Sequence, residues 1–380
     1  MKSFQNKLQQ LEDRGRLRSP ALPGGIDLTS NDYLGFASHP FLHEAAMAAI
    51  GSGMDIGAGG SRLLRGHCAA HQQLEEFAAS YFGAESSLYF ANGFAANYAL
   101  FTTLPDRHDV ILFDAYIHAS AREGIQNSSA KHIRVAHNDL NAYEDALQKA
   151  RETCTGQVWI AVESLYSMDG DYPDLGALHD LAARYDAMLV IDEAHAVGVF
   201  GPSGKGMAGE LLSKKGYDNI ITLYTCGKAL GVAGGLICAR KDITDYMINA
   251  ARPFIYSTAP MPLQAHLTQK SLELLASEDG KKARQSLLDI CAHARQKMPD
   301  ILTQDIATQI VPIILGEDAR AVEVATALQE SGYDIRAIRP PTVPEGTARL
   351  RLSLSANLTT GIIDDFLSIL ESLTKERQAA

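Results

Sequence analysis

Residues 188–195, Met188-Leu189-Val190-Ile191-Asp192-Glu193-Ala194-His195, hold the pattern that decides the fold of this chain. An apolar run that ends in an acidic residue predicts a strand buried on both faces of a parallel sheet. Similar runs occur on both sides of it, separated by amphipathic helical stretches over 140–150 and 175–185, which is typical of βαβ units. These runs are Leu88–Phe90, Val110–Phe113, His132–Val135, Val158–Val162 and Ile220–Tyr224. The sequence therefore predicts an α/β fold with a mostly parallel sheet.

The chain is expected to divide into three parts around this sheet. Residues 1–40 form an N-terminal segment, residues 41–278 the large α/β domain, and residues 279–380 a small C-terminal α+β domain. Candidate connections lie near Pro253–Pro262 and Ser277–Gly280. The small domain reads strand, helix, strand, strand, helix over Gln309–Leu315, Arg320–Glu330, Asp334–Ile338, Ala348–Ser355 and Ile362–Glu376.

Composition restricts the classes of function. The 380 residues include 46% hydrophobic and 21% charged residues, and the net charge is −11 without a basic block, which argues against a nucleic-acid partner. The five cysteines are scattered, as expected for reduced thiols in the cytoplasm. We find no apolar run of the roughly 18 residues that span a bilayer, and the polar N-terminus lacks the apolar core of a secretory signal. We expect a soluble, cytoplasmic protein.

Several motifs are excluded by what is missing around them. Asp192-Glu193-Ala194-His195 matches a helicase motif, but the chain has no phosphate loop ending in Gly-Lys-Ser/Thr. His67 and His71 have helical spacing without the acidic base of a metalloprotease helix, so we expect no metal site. The Gly-x-Ser-x-Gly elbow of serine hydrolases is also missing from the sequence.

Two candidate features follow predicted strands, where open α/β sheets bind ligands. Asn92-Gly93-Phe94 opens a predicted helix over Ala95–Thr103, and amides at a helix N-terminus hold phosphate groups. An ordinary turn would also contain such a glycine. Asp192 ends its strand, and a buried carboxylate there requires donors or a cationic partner such as a protonated pyridine nitrogen. The alternative is that Asp192 caps the following turn.

A third feature is Lys228, which follows the strand Ile220–Tyr224 within Thr225-Cys226-Gly227-Lys228. A lysine amine forms an imine with a carbonyl group, although a single lysine after a strand is normally solvated. Lys228 lies 36 residues after Asp192. In chain order the three features would supply a phosphate site, a partner for a pyridine ring and an imine-forming amine.

This order and spacing resemble the fold-type I pyridoxal-phosphate (PLP) enzymes, and more closely the α-oxoamine synthases. Enzymes of that family condense an amino acid with an acyl thioester and release carbon dioxide. The matching stretches are Ser30–Gly35, Gly59–Arg62, Asn92–Asn97, Ser167–Asp171, Asp192–His195 and Gly227–Ala229. The resemblance implies a fold-type I architecture and pyridoxal 5'-phosphate as the cofactor.

The resemblance also implies roles for cofactor-binding residues. Lys228 would be the Schiff-base lysine and the base for the α-proton. Asp192 would pair with the pyridine nitrogen, His195 would hydrogen-bond the ring hydroxyl oxygen, and His118 would stack on the ring. Further cofactor contacts implied by the resemblance are Ser167, Thr225, Gly93 and Phe94.

For the substrate, the resemblance places Asn31 and Arg351 near the amino-acid carboxylate, which a guanidinium binds through two hydrogen bonds. Thr342 matches a substrate-contact position. Arg18 matches a position for the acyl chain or is an exposed arginine, because Pro23-Gly24-Gly25 replaces an expected hairpin. Cys226 stands where the family usually has leucine, either with a role beside Lys228 or as a small buried residue.

The stretch 337–344 with 346–351 is similar to family members that join L-alanine to a pimeloyl thioester, carried on coenzyme A or acyl carrier protein, in biotin synthesis. A homodimer is implied as well. The alternatives are a sister synthase that uses glycine or serine, such as 2-amino-3-ketobutyrate ligase, an aminotransferase or lyase on the same fold, and a scaffold without catalysis.

Overall fold

The computed structural model describes residues 2–20, 22–299 and 307–375. Its strands are β1 Ile26–Asp27, β2 Ser86–Phe90, β3 Val110–Asp114, β4 Lys131–Val135, β5 Val158–Glu163, β6 Ala187–Asp192, β7 Ile220–Thr225, β8 Gly235–Ala239, β9 Ile310–Gly316, β10 Tyr333–Asp334, β11 Ala337–Ile338 and β12 Ala348–Ser353. Its α-helices are α1 Lys2–Asp13, α2 Pro40–Gly51, α3 Ala69–Phe82, α4 Gly93–Thr103, α5 Ala119–Gln126, α6 Leu140–Thr153, α7 Leu175–Arg184, α8 Gly209–Lys215, α9 Lys241–Ala250, α10 Arg252–Ile255, α11 Pro262–Ala276, α12 Glu278–Lys297, α13 Asp318–Glu330 and α14 Thr360–Lys375.

The chain forms two compact units. The sheet unit comprises Leu34–Ser167 and Asp171–Gln285, and the terminal unit comprises Met1–Tyr33, Met168–Gly170 and Ser286–Ala380. The predicted domain boundaries after residues 40 and 278 stay a prediction.

The sheet unit is built on a seven-stranded sheet with the order β2-β8-β7-β6-β5-β3-β4. Strands β4, β3, β5, β6 and β7 pair in parallel, while β8 is antiparallel to both β7 and β2. The predicted α/β fold with a mostly parallel sheet is confirmed. Strand β8 was not predicted, because its short run begins at Gly235 directly after Gly234, and no helix of a βαβ unit connects it to β7.

The core of the sheet unit explains why these runs form strands. Every residue of β3 and β5 is buried. Apolar side chains of the sheet pack against α4, α5, α9 and α10 in one cluster, and α3, α6 and α7 also contact strands of this sheet. Asn92, Asp139 and Asp174 cap α4, α6 and α7 by accepting a backbone N–H, which fixes where each helix begins.

The predicted connection Ser277–Gly280 is wrong after its first residue, because α12 begins at Glu278. Acidic residues in the first turn, Glu278 and Asp279, suit a helix N-terminus. A Cβ on Gly280 would lie 2.3 Å from the Leu274 carbonyl oxygen, so this glycine permits close packing rather than breaking the helix. Near Pro253–Pro262 the predicted connection is interrupted by α10 and ends where α11 begins.

The terminal unit contains a three-stranded antiparallel sheet, β11-β12-β9, and a parallel pair, β1-β10. The predicted elements that became β9, α13, β12 and α14 are present, and Glu376 lies outside the described residues. The predicted strand Asp334–Ile338 is wrong, because Ile335 and Arg336 separate β10 from β11. The pairing of β10 with β1 depends on a distant segment and leaves no local pattern. Among the described helices, none has the length and apolar character needed to cross a membrane.

Candidate active site

The carboxyl edge of the large sheet carries the candidate cofactor-binding residues. Strands β3, β5, β6 and β7 run in parallel, so the segments that follow them emerge at one edge. His118 follows β3, Ser167 follows β5, Asp192 ends β6, and Lys228 follows β7. Residues distant in sequence thus meet at one place, as predicted from the strand ends.

Asp192 is buried, with 5% of its surface exposed. Asn97 Nδ2 on α4 donates to Asp192 Oδ2 at 2.7 Å, and the Ala194 backbone N–H donates to Asp192 Oδ1 at 2.9 Å. An ionised carboxylate offers about four acceptor positions. Asp192 therefore keeps acceptor capacity for a further cationic donor while remaining fixed in orientation.

Asn97 also connects Asp192 with His118. Asn97 Nδ2 donates to Ser120 Oγ at 3.0 Å, and Ser120 Oγ lies 2.7 Å from His118 Nδ1. The Ser120 backbone N–H donates to the same His118 nitrogen at 3.2 Å, so His118 caps α5. Desolvation lowers the pKa of His118, the charge of Asp192 opposes this, and the charge of Lys228 lowers it further. The ring is consequently held neutral with Nδ1 as acceptor.

Lys228 lies on a short loop between the antiparallel strands β7 and β8. Its Nζ is 2.6 Å from Nε2 of His195, a residue that is 4% exposed. The loop is closed by the Cys226 N–H, which donates to the Gly234 carbonyl at 2.9 Å, and by the Gly231 N–H, which donates to the Lys228 carbonyl at 2.8 Å. The amine is therefore presented from an anchored backbone to a buried imidazole.

Gly93 begins α4 beside Thr225, the last residue of β7. A Cβ on Gly93 would lie 2.2 Å from Thr225 Oγ1, so only glycine fits here without rearrangement. The first amides of a helix, here those of Gly93 and Phe94, have no partner within the helix and are suited to bind an anion. The Phe94 side chain is 50% exposed. This corner of the site offers backbone donors and a hydroxyl group together.

Glu163 is a site residue to which the sequence analysis assigned no role. It ends β5 in register with Asp192 on β6 and is 2% exposed. Burial raises the pKa of Glu163 well above its ordinary value, the charge of Asp192 raises it further, and that of Lys228 lowers it. Among the described residues, nothing hydrogen-bonds Glu163 Oε1. The neutral form of Glu163 is therefore favoured beside Asp192.

Asn97 and Ser120 were also missed. Both lie on helices that follow predicted strands, and both are polar residues within buried helix faces. Asn97 was part of a matching stretch, and its spacing of one helical turn from Gly93 was the available signal.

In the terminal unit, the structure pairs the candidate substrate residues two by two. Arg351 on β12 donates from Nη2 to Asn31 Oδ1 at 3.0 Å and to the Tyr33 hydroxyl at 3.2 Å, and it is 8% exposed. Arg18 Nη2 donates to Thr342 Oγ1 at 3.2 Å, and both of these residues are exposed. The first pair is therefore more rigidly held than the second.

Two features of the sequence have structural explanations. Cys226 is fully buried, and burial raises the pKa of its thiol, so it is a small buried residue rather than a thiolate. His71 Nε2 lies 2.8 Å from the Pro260 carbonyl oxygen, and His67 Nδ1 accepts from Arg62 Nε at 3.1 Å. Within the described ranges, no group of three or more His, Cys, Asp or Glu residues has the arrangement of a metal site.

The residues at the sheet edge fit pyridoxal phosphate. Asp192 has acceptor capacity for a pyridinium N–H, and the α4 amides with Thr225 offer donors for a phosphate group. Lys228 offers a primary amine, and His118 offers a flat neutral ring. This donor set matches the three chemical parts of the cofactor.

Comparisons with known proteins show the family of this chain. A family model described as aminotransferase class I and II matches residues 23–370. The chain is 40% identical to 8-amino-7-oxononanoate synthase from Chromobacterium violaceum, over 96% of each protein. These matches cover nearly the whole chain.

Solved structures extend the comparison to the fold. 8-Amino-7-oxononanoate synthase from Francisella tularensis matches with a TM-score of 0.77 and 28% identity, over 93% of this chain and 99% of that one. A serine palmitoyltransferase from S. paucimobilis with a bound PLP–myriocin aldimine matches with a TM-score of 0.88 and 23% identity, over 100% and 98%. The predicted fold-type I architecture is confirmed.

Proposed function

We propose a function for this chain from one premise: it belongs to the aminotransferase class I and II family, and within it to the family of 8-amino-7-oxononanoate synthases. The proposed reaction joins L-alanine to a pimeloyl thioester, on coenzyme A or acyl carrier protein. A carbon–carbon bond forms at the alanine α-carbon, the thiol leaves, and carbon dioxide is lost from the former carboxylate. The product is 8-amino-7-oxononanoate, an intermediate of biotin synthesis.

One observation carries the proposal. Lys228 Nζ lies 2.6 Å from His195 Nε2, at the sheet edge where β6 ends in the buried and doubly hydrogen-bonded Asp192. A solvated structural lysine would have no reason to contact a buried histidine. A primary amine beside buried polar groups suits imine chemistry.

Pyridoxal phosphate, when bound, would supply an electron sink for negative charge at the amino-acid α-carbon. We assign Asp192 to its ring nitrogen, His195 to its ring hydroxyl oxygen and His118 to its face. Thr225 and Ser167 are assigned to hydrogen bonds with the cofactor, and Gly93 and Phe94 to its backbone contacts.

Lys228 is proposed as the base that takes the α-proton of alanine and later returns a proton to the same carbon. His195 holds the amine in place through the observed contact, and its burial excludes water from that side. In the terminal unit, we assign Arg351 and Asn31 to the amino-acid carboxylate, Thr342 to a substrate contact and Arg18 to the acyl chain.

The first test is the absorbance spectrum of protein reconstituted with PLP. We expect a visible band, and borohydride reduction should trap the cofactor on Lys228, identified by peptide mass spectrometry. Lys228→Ala should not be labelled and should lose turnover, because imine formation and proton transfer use the same amine. A reconstituted protein without a visible band, or label on another lysine, would reject the assignment.

The substrate is tested by thiol release from pimeloyl thioester with alanine, glycine or serine. Alanine should give the highest kcat/KM, and product analysis should find carbon dioxide in equal amount to thiol. Preference for glycine or serine would instead favour a sister synthase. Keto-acid-dependent amino transfer without thiol release would favour an aminotransferase. We also propose that the protein is cytoplasmic and acts as a homodimer.

A further inference from the structure

A second polar cluster in the sheet unit centres on His137, which follows strand β4. His137 Nδ1 lies 2.7 Å from Asp114 Oδ1, and Nε2 lies 2.6 Å from Asp171 Oδ2. Asn138 adds two bonds to the same carboxylates, from its backbone N–H to Asp114 Oδ2 at 3.0 Å and from its Nδ2 to Asp171 Oδ2 at 2.9 Å. One imidazole ring therefore bridges two carboxylates from different parts of the chain.

The first carboxylate belongs to the loop that carries His118. Asp114 ends β3, is fully buried, and accepts the backbone N–H of Tyr116 at 2.8 Å. Arg122 on α5 donates to the Ala115 carbonyl oxygen at 2.8 Å. Asp114 thus fixes the start of the turn that leads from β3 to His118.

The second carboxylate belongs to the segment that follows β5. The backbone carbonyl of Asp171 accepts the N–H of Tyr166 at 2.8 Å, and Ser167 is the next residue after Tyr166. The hydrogen bond from His137 to the Asp171 side chain therefore constrains the backbone beside Ser167.

Both nitrogens of His137 are used, and the ring is confined between two tyrosines. The Tyr116 ring centroid lies 4.5 Å away at 36°, and the Tyr166 centroid lies 4.5 Å away at 86°. Burial opposes the charged form of the ring, but hydrogen bonds and charges of Asp114 and Asp171 outweigh it and raise the pKa of His137 to about 10. With both nitrogens engaged, His137 cannot exchange protons with a substrate without breaking the bridge.

We infer that His137 is a positioning residue of the cofactor site: its bridge between Asp114 and Asp171 fixes the spacing of the two segments that carry His118 and Ser167. The inference rests on the proposed function, because it treats both segments as cofactor contacts. His137 touches neither cofactor nor substrate and acts only through these two segments.

The test compares His137→Phe with wild-type protein, using PLP itself as the probe. Phenylalanine keeps an aromatic ring between the tyrosines and removes both bonds. We expect the Kd for PLP to rise roughly tenfold, as on loss of an outer partner that orients a ligand-binding group, and the circular dichroism of the bound cofactor's visible band to weaken. His132→Phe, which alters an exposed histidine on β4, is the matched control and should change neither.

A double variant isolates the bridge. Asp171→Asn should weaken PLP binding in the same way. His137→Phe with Asp171→Asn should be no worse than the more damaged single variant, because the His137–Asp171 contact is lost in both single variants. If His137→Phe does not fold, His137→Gln, which retains one hydrogen bond, is measured with the same expectation of a raised Kd.

Two results would overturn the inference, and they differ in meaning. A lower melting temperature with unchanged Kd and unchanged circular dichroism would make His137 a structural residue only, and the proposed function would stand. Failure of the wild-type protein to bind PLP would remove the proposed function and this inference with it.

Discussion

At the scale of single residues, ionisable side chains that are buried or half-buried in this protein have several hydrogen-bond partners at once. Asp192 accepts from Asn97 and Ala194, and His137 lies between Asp114 and Asp171. A buried charge without such partners would be strongly destabilising. The polar residues at the sheet edge therefore stabilise one another before any ligand binds.

The protonation of His137 predicts a pH dependence of stability. Its pKa is raised to about 10 in the folded protein from about 6.5 in the unfolded chain. The stabilisation is therefore complete below about pH 6.5 and is lost as the pH rises through the folded pKa. The unfolding free energy contributed by His137 falls by at most about 1.4 kcal/mol per pH unit.

The measurement is urea unfolding of wild-type protein and His137→Phe at several pH values from 7 to 10. The difference in unfolding free energy should shrink as the pH rises. Asp114, Asp171, Tyr116 and Tyr166 face this position in both proteins. A difference that stays constant over this range would mean that the ring is neutral in the folded state.

Candidate site residues that lie at or after the end of a strand could be predicted from the sequence. Asp192 and Lys228 each follow an apolar run, and the structure brings them to one edge, although their roles stay predictions. Asn97 and Glu163 were not assigned, because their importance comes from register and helix packing. Glu163 gains significance only once β5 is seen beside β6 with Glu163 opposite Asp192.

At the scale of elements, the first residue of helix α4, Gly93, lies close to the side chain of Thr225 at the end of β7. Gly93→Ala would place a Cβ 2.2 Å from Thr225 Oγ1, and overpacking of this kind costs about 1–3 kcal/mol. We expect lower unfolding free energy and weaker PLP binding. Gly51→Ala at the end of α2, where a Cβ meets nothing within 4 Å, should be neutral or stabilising by up to about 1 kcal/mol.

Gly93→Ala and its control Gly51→Ala are compared by thermal unfolding and PLP titration. Adding Thr225→Ala to Gly93→Ala removes the clashing hydroxyl and should restore most of the stability without restoring PLP affinity. Equal behaviour of the two glycine variants would mean that α4 shifts freely to accommodate the methyl group.

Elements with strong local patterns were predicted well, and those defined by distant partners were not. The strands of the parallel sheet were located to within two residues at each end. The division of 334–338 into β10 and β11 was missed, since β10 pairs with β1 about three hundred residues earlier. Strand β8 was missed because it is antiparallel to β7 and no helix connects the two strands, so the sequence lacks the helical pattern that indicates a βαβ unit.

At the scale of the whole molecule, exposed apolar side chains of the sheet unit are candidates for the contact in the proposed homodimer. Leu64 is 81% exposed and Tyr256 is 72% exposed. The segments around them are joined by the Ala259 N–H, which donates to the Gly60 carbonyl at 2.9 Å. Contiguous exposed apolar surface marks interaction sites, and a two-fold dimer that forms here would cover both side chains on both copies.

Light scattering tests the dimer. Wild-type protein should have twice the 41.0 kDa mass of one chain, and Leu64→Glu should shift it toward the mass of one chain at low concentration. Leu22→Glu, at a position that is 94% exposed in the terminal unit, is the control and should leave the mass unchanged. A wild-type protein with the mass of a single chain would refute the homodimer.

The antiparallel strand β8 limits how far Lys228 can move. Because the chain turns back directly after β7, the backbone of Lys228 is tied on both sides, by the Cys226–Gly234 and Gly231–Lys228 hydrogen bonds. The amine can therefore move only as far as its own side chain allows, which would keep it at high local concentration near the α-carbon of the proposed substrate. In the proposed reaction, the amine would therefore be close at hand to return a proton to the carbon from which it took one.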